Sequence, residues 1–212
     1  MTTQERSESR TELILYATPT GLLGEWCDDF SNAVAAIGPT LAQTYPMHCT
    51  LTGFFRRTAS QRSRVVDAVE KLLAAAGPVP LGAVEVVSLR QHDEWIGLEL
   101  SSSWLLDLAA RFATEHEIEP GDDPIRLKDW LHLSFAYGVD DLTQYTSVAS
   151  PLRRDPSQWP ADVRAAVWEV ALWERTGPGG WSRLTGGSDD TEASPVALRR
   201  VSPSTGRPTA RE

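Results

Sequence analysis

"MHCTLTGFF" (residues 47–55) and "LHLSFAYG" (residues 131–138) are the stretches whose reading decides the fold. Each carries a histidine followed two positions later by a hydroxyl residue: His48 with Thr50, and His132 with Ser134. In a strand, residues two apart share a face. The second stretch then places Leu131, Leu133, Phe135 and Tyr137 on one face and His132, Ser134 and Ala136 on the other. The first places Cys49, Leu51 and Phe55 on one side and His48, Thr50 and Thr52 on the other. Apolar faces of this kind need burial beneath helices, which leaves both histidines on the surface the sheet keeps open.

Around these strands the hydrophobic period alternates between two and about 3.6. "TELILYATP" (11–19) reads as a strand, and "GLLGEWCDDFSNAVAAIG" (21–38) as a helix with Leu22, Leu23, Trp26, Phe30, Ala33, Val34 and Ile37 on one face. "SQRSRVVDAVEKLLAAAG" (60–77) is a second helix, capped by Ser60 and buried along Val65, Val66, Val69, Leu72 and Leu73. "GAVEVVSLRQHDEWIGLEL" (82–100) reads as a hairpin turning near His92-Asp93. "SSSWLLDLAARFATEHE" (101–117) is a helix burying Leu105, Leu108, Ala109 and Phe112. After the second motif, "DDLTQYTSVASPL" (140–152) is expected to be helical, and "AAVWEVALWERTGPGGWSRL" (165–184) a closing hairpin turning at Gly177 to Gly180. The order strand, helix, motif strand, helix occurs twice. It predicts an α+β fold of two pseudo-symmetric halves, mainly antiparallel sheet with helices outside, and a central cleft where the histidines meet.

Bulk properties narrow the function. A chain of 212 residues with 41% hydrophobic and 23% charged residues is ordinary globular material. Residues 1–10 are polar without an apolar core, so no secretory signal is expected, and no apolar run reaches the length of a membrane span. From residue 186 onward the chain is rich in Gly, Ser, Thr, Pro and charge. The expectation is a folded domain over 11–185 between a disordered N-terminus (1–10) and a disordered tail (186–212). The net charge of −9 argues against a broad basic footprint for duplex DNA or long RNA. Two cysteines, Cys27 and Cys49, form no disulfide framework and no metal or redox motif. They read as buried free thiols in a reducing, cytoplasmic setting.

Paired histidines each backed by a hydroxyl suit phosphoester hydrolysis without a metal. One neutral imidazole takes a proton from water, the other gives one to the leaving alkoxide, and Thr50 and Ser134 donate to non-bridging phosphate oxygens. A zinc site would want further ligands. The nearby acids, Asp122, Asp123 and Asp129, fall in loops or off the histidine face, so neither metal nor cofactor is expected. Sequence does not decide which histidine is the base, with a slight preference for His132 as base and His48 as acid. The remaining two of the four histidines, His92 and His116, lack the pattern and are expected on the solvated surface.

The H-C-T-L and H-L-S-F signatures resemble those of the two-histidine (2H) phosphoesterase superfamily, and most of all the 2H domain of the TULA (suppressor of T-cell receptor signalling) proteins. As there, the first motif runs into Phe54-Phe55, and the second has Lys128 four residues before its histidine and Ala136-Tyr137 after it. "EWIGLEL" (94–100) is similar to that domain's middle strand. The resemblance implies a bilobal 2H fold and a phosphodiesterase of small cyclic nucleotides, with 2′,3′-cyclic phosphates foremost. Hydrolysis of 2′–5′ or cyclic oligonucleotide linkages, trimming of RNA ends, or nucleotide binding without turnover are the alternatives. His48 and His132 are the catalytic candidates. Thr50, Ser134, Lys128, Tyr137, Phe55 and Tyr16 are the substrate-binding candidates, with Trp130 a further ring able to stack a base. Arg56 and Arg57 read as a solvated loop. The expected partner is a small nucleotide or short oligonucleotide, bound by a cytoplasmic monomer.

Overall fold

Strand β1 (Arg10–Thr20) carries an unbroken apolar run from Leu13 to Ala17, and it sits inside the sheet with neighbours along both edges. The computed structural model describes residues 9–186 apart from 93, 116–118, 121, 140, 146–158 and 165. β1 begins one residue earlier than expected, at Arg10, whose guanidinium lies 3.5 Å from Asp122. His116 and the second half of the helix expected over 140–152 lie outside the described residues; Thr143–Tyr145 form a single 3-10 turn.

The other strands are β2 (Cys49–Thr50), β3 (Phe55–Thr58), β4 (Glu85–His92), β5 (Trp95–Ser101), β6 (Leu131–Tyr137), β7 (Val167–Gly177) and β8 (Gly180–Arg183). They form one antiparallel sheet of eight strands in the order β4-β5-β6-β2-β1-β7-β8, with β3 alongside β1. Both hairpins turn where expected. The two motif strands, far apart in sequence, are direct neighbours through Cys49 opposite Leu133.

Three long helices, α1 (Gly21–Ile37), α2 (Ala59–Ala76) and α3 (Ser103–Glu115), and a short α4 (Ala161–Arg164) complete an α+β architecture. Leu13, Leu15 and Ala17 of β1 share one core with Leu23, Cys27, Phe30 and Val34 of α1, Val65 and Val69 of α2, and Leu105, Leu108 and Phe112 of α3. The alternate β1 residues Ile14 and Tyr16 join Ala171 and Trp173 in a second, smaller cluster that contains no helix residue. Helices therefore cover one face of the sheet, and the histidine strands present their polar side chains to the other. The stripe expected on α3 is buried as read. On α1, Leu22 and Ala33 fall outside the buried stripe and are exposed. The cap of α2 is Thr58, not Ser60: Thr58 and Gln61 exchange side-chain and backbone bonds in a capping box, which Ser60 lacks the spacing to form.

Regular alternation holds through neither motif. Tyr16 pairs with Thr50 but Leu13 pairs with Phe55, so the register of the first motif against β1 slips by two residues between them. Thr52 fills the slip. It is fully buried, and its hydroxyl accepts the Leu15 backbone N–H at 3.1 Å in place of a ladder carbonyl. The expectation that Thr52 shares the open face with His48 and Thr50 is corrected accordingly. In β6, Gly97 pairs with Ser134 and the next residue, Ile96, with Ala136; Phe135 is the extra residue of a bulge. Phe135 and Ala136 both turn into the helix-side core, so Ala136 does not stand beside His132.

Replacing Thr52 with the isosteric valine keeps the packing but strands the Leu15 N–H in the core. T52V is expected to lower stability by about 1–3 kcal/mol, read as a lower urea midpoint with an unchanged slope.

Candidate active site

The site is built on the β2–β6 pair. Antiparallel pairing about Cys49 and Leu133 sets His48 across from Ser134 and Thr50 across from His132. Cys49 and Leu133 point into the core, both fully buried. Burial pushes the Cys49 thiol up to about 12, and Cys27, also buried and free, is raised by the same cause. Neither is a nucleophile at neutral pH.

The two imidazoles are anchored alike. His48 Nδ1 lies 2.6 Å from the carbonyl of Pro46, and His132 Nδ1 lies 3.3 Å from the carbonyl of Trp130, in each case two residues back. A carbonyl only accepts, so Nδ1 carries the proton and Nε2 is left as the exchanging atom of each ring. His48 stacks on Tyr16 with 3.7 Å between ring centroids and an interplanar angle of 29°. Tyr45 stands 5.8 Å from His48 and 5.2 Å from Trp181, whose indole N–H donates to the Thr44 carbonyl at 2.9 Å. His132 sits in a two-tryptophan corner: Trp130 lies 4.1 Å away and tilted 31°, and Trp95 meets it edge-on at 5.2 Å.

These surroundings act on proton affinity. Desolvation by burial pushes His48 down to about 4, against the Pro46 hydrogen bond and with a further push from His132. The two rings are thus near enough to sense each other. His132 is lowered as well, by desolvation first and by the Lys128 ammonium, against its own hydrogen bond. Glu99, opposite His132 on β5, is held below the usual carboxylate range by Arg90 at 2.7 Å, with help from Ser88 and the Trp130 indole.

The other candidates divide. Thr50 and Ser134 lie beside the rings, and the Ser134 hydroxyl accepts the Trp95 indole N–H at 2.9 Å. Thr50 makes no side-chain hydrogen bond among the described residues. The Lys128 backbone N–H donates to Leu51 at 3.1 Å, which ties that residue to the first motif while its charge acts on His132. Tyr137 reaches the site because of the Phe135 bulge: burial and the Tyr45 hydroxyl raise its pKa to about 12, and Tyr16 is influenced by both phenols. Tyr16 is 1% exposed and supports His48 from beneath instead of facing solvent. Phe55 does not belong here. It is fully buried on the helix side, 6.0 Å from Phe112 and under the Arg57 guanidinium.

Arg57 is no solvated loop residue either. It is 1% exposed, donates to the Arg56 and Asp123 carbonyls at 2.8 and 3.0 Å, and lies 3.9 Å from Asp122. Arg56 is exposed, as read, but it lies in strand β3 and pairs with Glu12 at 3.6 Å instead of standing in a loop. Tyr45, Trp95 and Trp181 were not legible as site residues. The one usable signal was Gly97, a residue without a side chain two positions after Trp95 in a strand, which marks a close approach. Among the described residues no three His, Cys, Asp or Glu side chains converge as metal ligands, and no helix is long and apolar enough to cross a membrane. The chain matches no family model and no curated protein.

A histidine whose folded pKa lies below its unfolded value binds its proton more readily in the unfolded chain. Its contribution is intact above about 6.5 and is lost as pH falls toward about 4. His48 keeps part of its surface in solvent, so the expected loss is about 2 kcal/mol, less than the full shift at about 1.4 kcal/mol per unit. H48F, which retains a ring against Tyr16, should flatten the stability profile between pH 7 and pH 4 by that amount in urea titrations.

Proposed function

We propose that the chain is a metal-independent phosphodiesterase of the 2H type that hydrolyses small cyclic nucleotides, 2′,3′-cyclic phosphates foremost. The observation that carries the reading is the matched anchoring of His48 and His132. Both rings are fixed through Nδ1 to the carbonyl two residues back, and each has a hydroxyl on the neighbouring strand. Such a diagonal array is the arrangement that one phosphate held between two Nε2 atoms would call for. The local two-fold relation through Cys49 and Leu133 supports the bilobal 2H arrangement, in which each half supplies one motif.

In this mechanism one Nε2 lone pair takes a proton from water as the water oxygen bonds to phosphorus. The bond from phosphorus to the leaving ribose oxygen breaks, and the other histidine delivers its Nε2 proton to that oxygen. Thr50 and Ser134 donate to the non-bridging oxygens as charge builds on them. The deeper seat of His48 and its larger fall in pKa support His48 as the base and His132 as the acid, the reverse of the preference drawn from sequence. A bound phosphate monoanion raises the proton affinity of both rings, which favours the charged form the acid needs. The free, buried thiols fit a reducing cytoplasm, and we read the active unit as a monomer.

Turnover of 2′,3′-cyclic AMP, followed by phosphorus NMR, is expected to survive EDTA and to give a bell-shaped pH profile. H48A and H132A should each cost roughly 10²–10⁴ in kcat. Loss of activity on chelation, restored by zinc or manganese, would move the chemistry to a metal; binding without turnover would make the chain a nucleotide-binding module.

Substrate size follows from charge. The chain has two lysines, Lys71 and Lys128, and Arg57 is engaged with Asp122 and two carbonyls. The positive groups left near the rings suffice for one or two phosphates. A cyclic mononucleotide should therefore match or exceed a long RNA of the same terminus in kcat/KM, with a shallow dependence on salt. A strong preference for the long RNA that collapses as salt rises would overturn this assignment.

A further inference from the structure

Trp95 occupies a position that the acid–base reading leaves unused. Its indole Nε1–H donates to the Ser134 hydroxyl at 2.9 Å, and its ring packs edge-on against His132 at 5.2 Å and against Trp130 at 5.0 Å. It reaches Ser134 by lying back over its own strand. Gly97, which pairs with Ser134, has no side chain, and a Cβ there would collide with the Trp95 ring and the Leu133 carbonyl.

We propose that Trp95 is a positioning residue that fixes the Ser134 hydroxyl for phosphate, an inference that rests on the phosphodiesterase reading. An indole N–H only donates, so the Ser134 oxygen must be the acceptor and its own O–H is turned away from Trp95. The other hydroxyl of the site needs no such help. Thr50 is β-branched and its χ1 is stiff, whereas an unbranched serine rotates among three wells. Trp95 supplies through a hydrogen bond the order that a methyl group supplies at Thr50. Trp95 touches the serine and the histidine, not the reacting atoms.

The test is a set of variants: W95F, S134A, S134T and the two doubles, W95F/S134A and W95F/S134T, assayed on 2′,3′-cyclic AMP. S134A removes one donor to the developing charge and should lower kcat by about 10²-fold. W95F should lower kcat roughly tenfold with KM nearly unchanged, part of what loss of the donor itself costs. W95F should cost nothing further in the S134A background, and S134T should restore most of the W95F loss. A misfolded chain would not be rescued by one methyl group. In ¹⁵N-labelled protein, the indole signal missing from W95F should shift in S134A, whether or not substrate turns over. If the wild-type chain is active and W95F costs the same with and without S134A, or S134T gives no rescue, Trp95 is not a positioning residue and the phosphodiesterase reading stands. If the wild-type chain hydrolyses no phosphodiester, that reading falls and the role of Trp95 falls with it, even where the indole signal moves.

Discussion

Everything at the site depends on β2 and β6 lying side by side with Cys49 opposite Leu133. That contact joins segments far apart in sequence, so closing it costs chain entropy that local structure does not return. The return comes from beneath. Cys49 and Leu133 are fully buried in the core shared with all three long helices. Once those two side chains point down, pleating sends His48, Thr50, His132 and Ser134 up. The chemistry is thus placed by the apolar residues between the polar ones.

The face that carries the histidines is sheltered by rings instead of helices. On one flank Tyr16, Tyr45 and Trp181 enclose His48, and on the other Trp95 and Trp130 corner His132. Aromatic rings lower the local dielectric while offering the imidazoles few competing donors or acceptors beyond a handful of indole and phenol groups. The two flanks also differ in origin. Trp181 comes from the last hairpin and ties down the loop just before His48 through the Thr44 carbonyl. The Trp95 flank comes from the middle of the chain. This difference in enclosure sets the two histidines apart although their motifs are nearly equivalent.

Elements with long, uninterrupted periodicity were legible in the sequence: β1, the three helices and both hairpins follow from apolar spacing and from Gly and Pro at the ends. Both histidines, Thr50 and Ser134 were legible because their period of two survives across β2 and the start of β6. What strand parity misplaced lies where the chain slips register. Thr52 and Phe135 sit at the two slips, and Ala136 and Tyr137 exchange faces as a result. Sequence alone does not mark such slips, since they arise from pairing with β1 and β5 over long separations. The buried ion pair of Arg57 with Asp122 was hidden for a similar reason: its partners come from opposite sides of α3. Trp95 escaped notice because its role depends on a neighbour that lacks a side chain.

The bulge at Phe135 also decides which kinds of inherited change the molecule can absorb. Amino-acid replacements along β6 alter one side chain at a time and leave the rest of the strand facing as before. Removal of a single codon there would be a different event. Loss of Phe135 would restore an even pleat with Ala136 still inward and Tyr137 still outward, at the cost of one ring in the core, whereas loss of Leu133 would turn Ser134 inward beneath the helices. Loss of one residue between His132 and the bulge would therefore rewrite the site more thoroughly than loss of the bulge residue itself. Descendants of this chain should keep the spacing from His132 to Ser134 and can shed the extra residue at the bulge with less harm to the site.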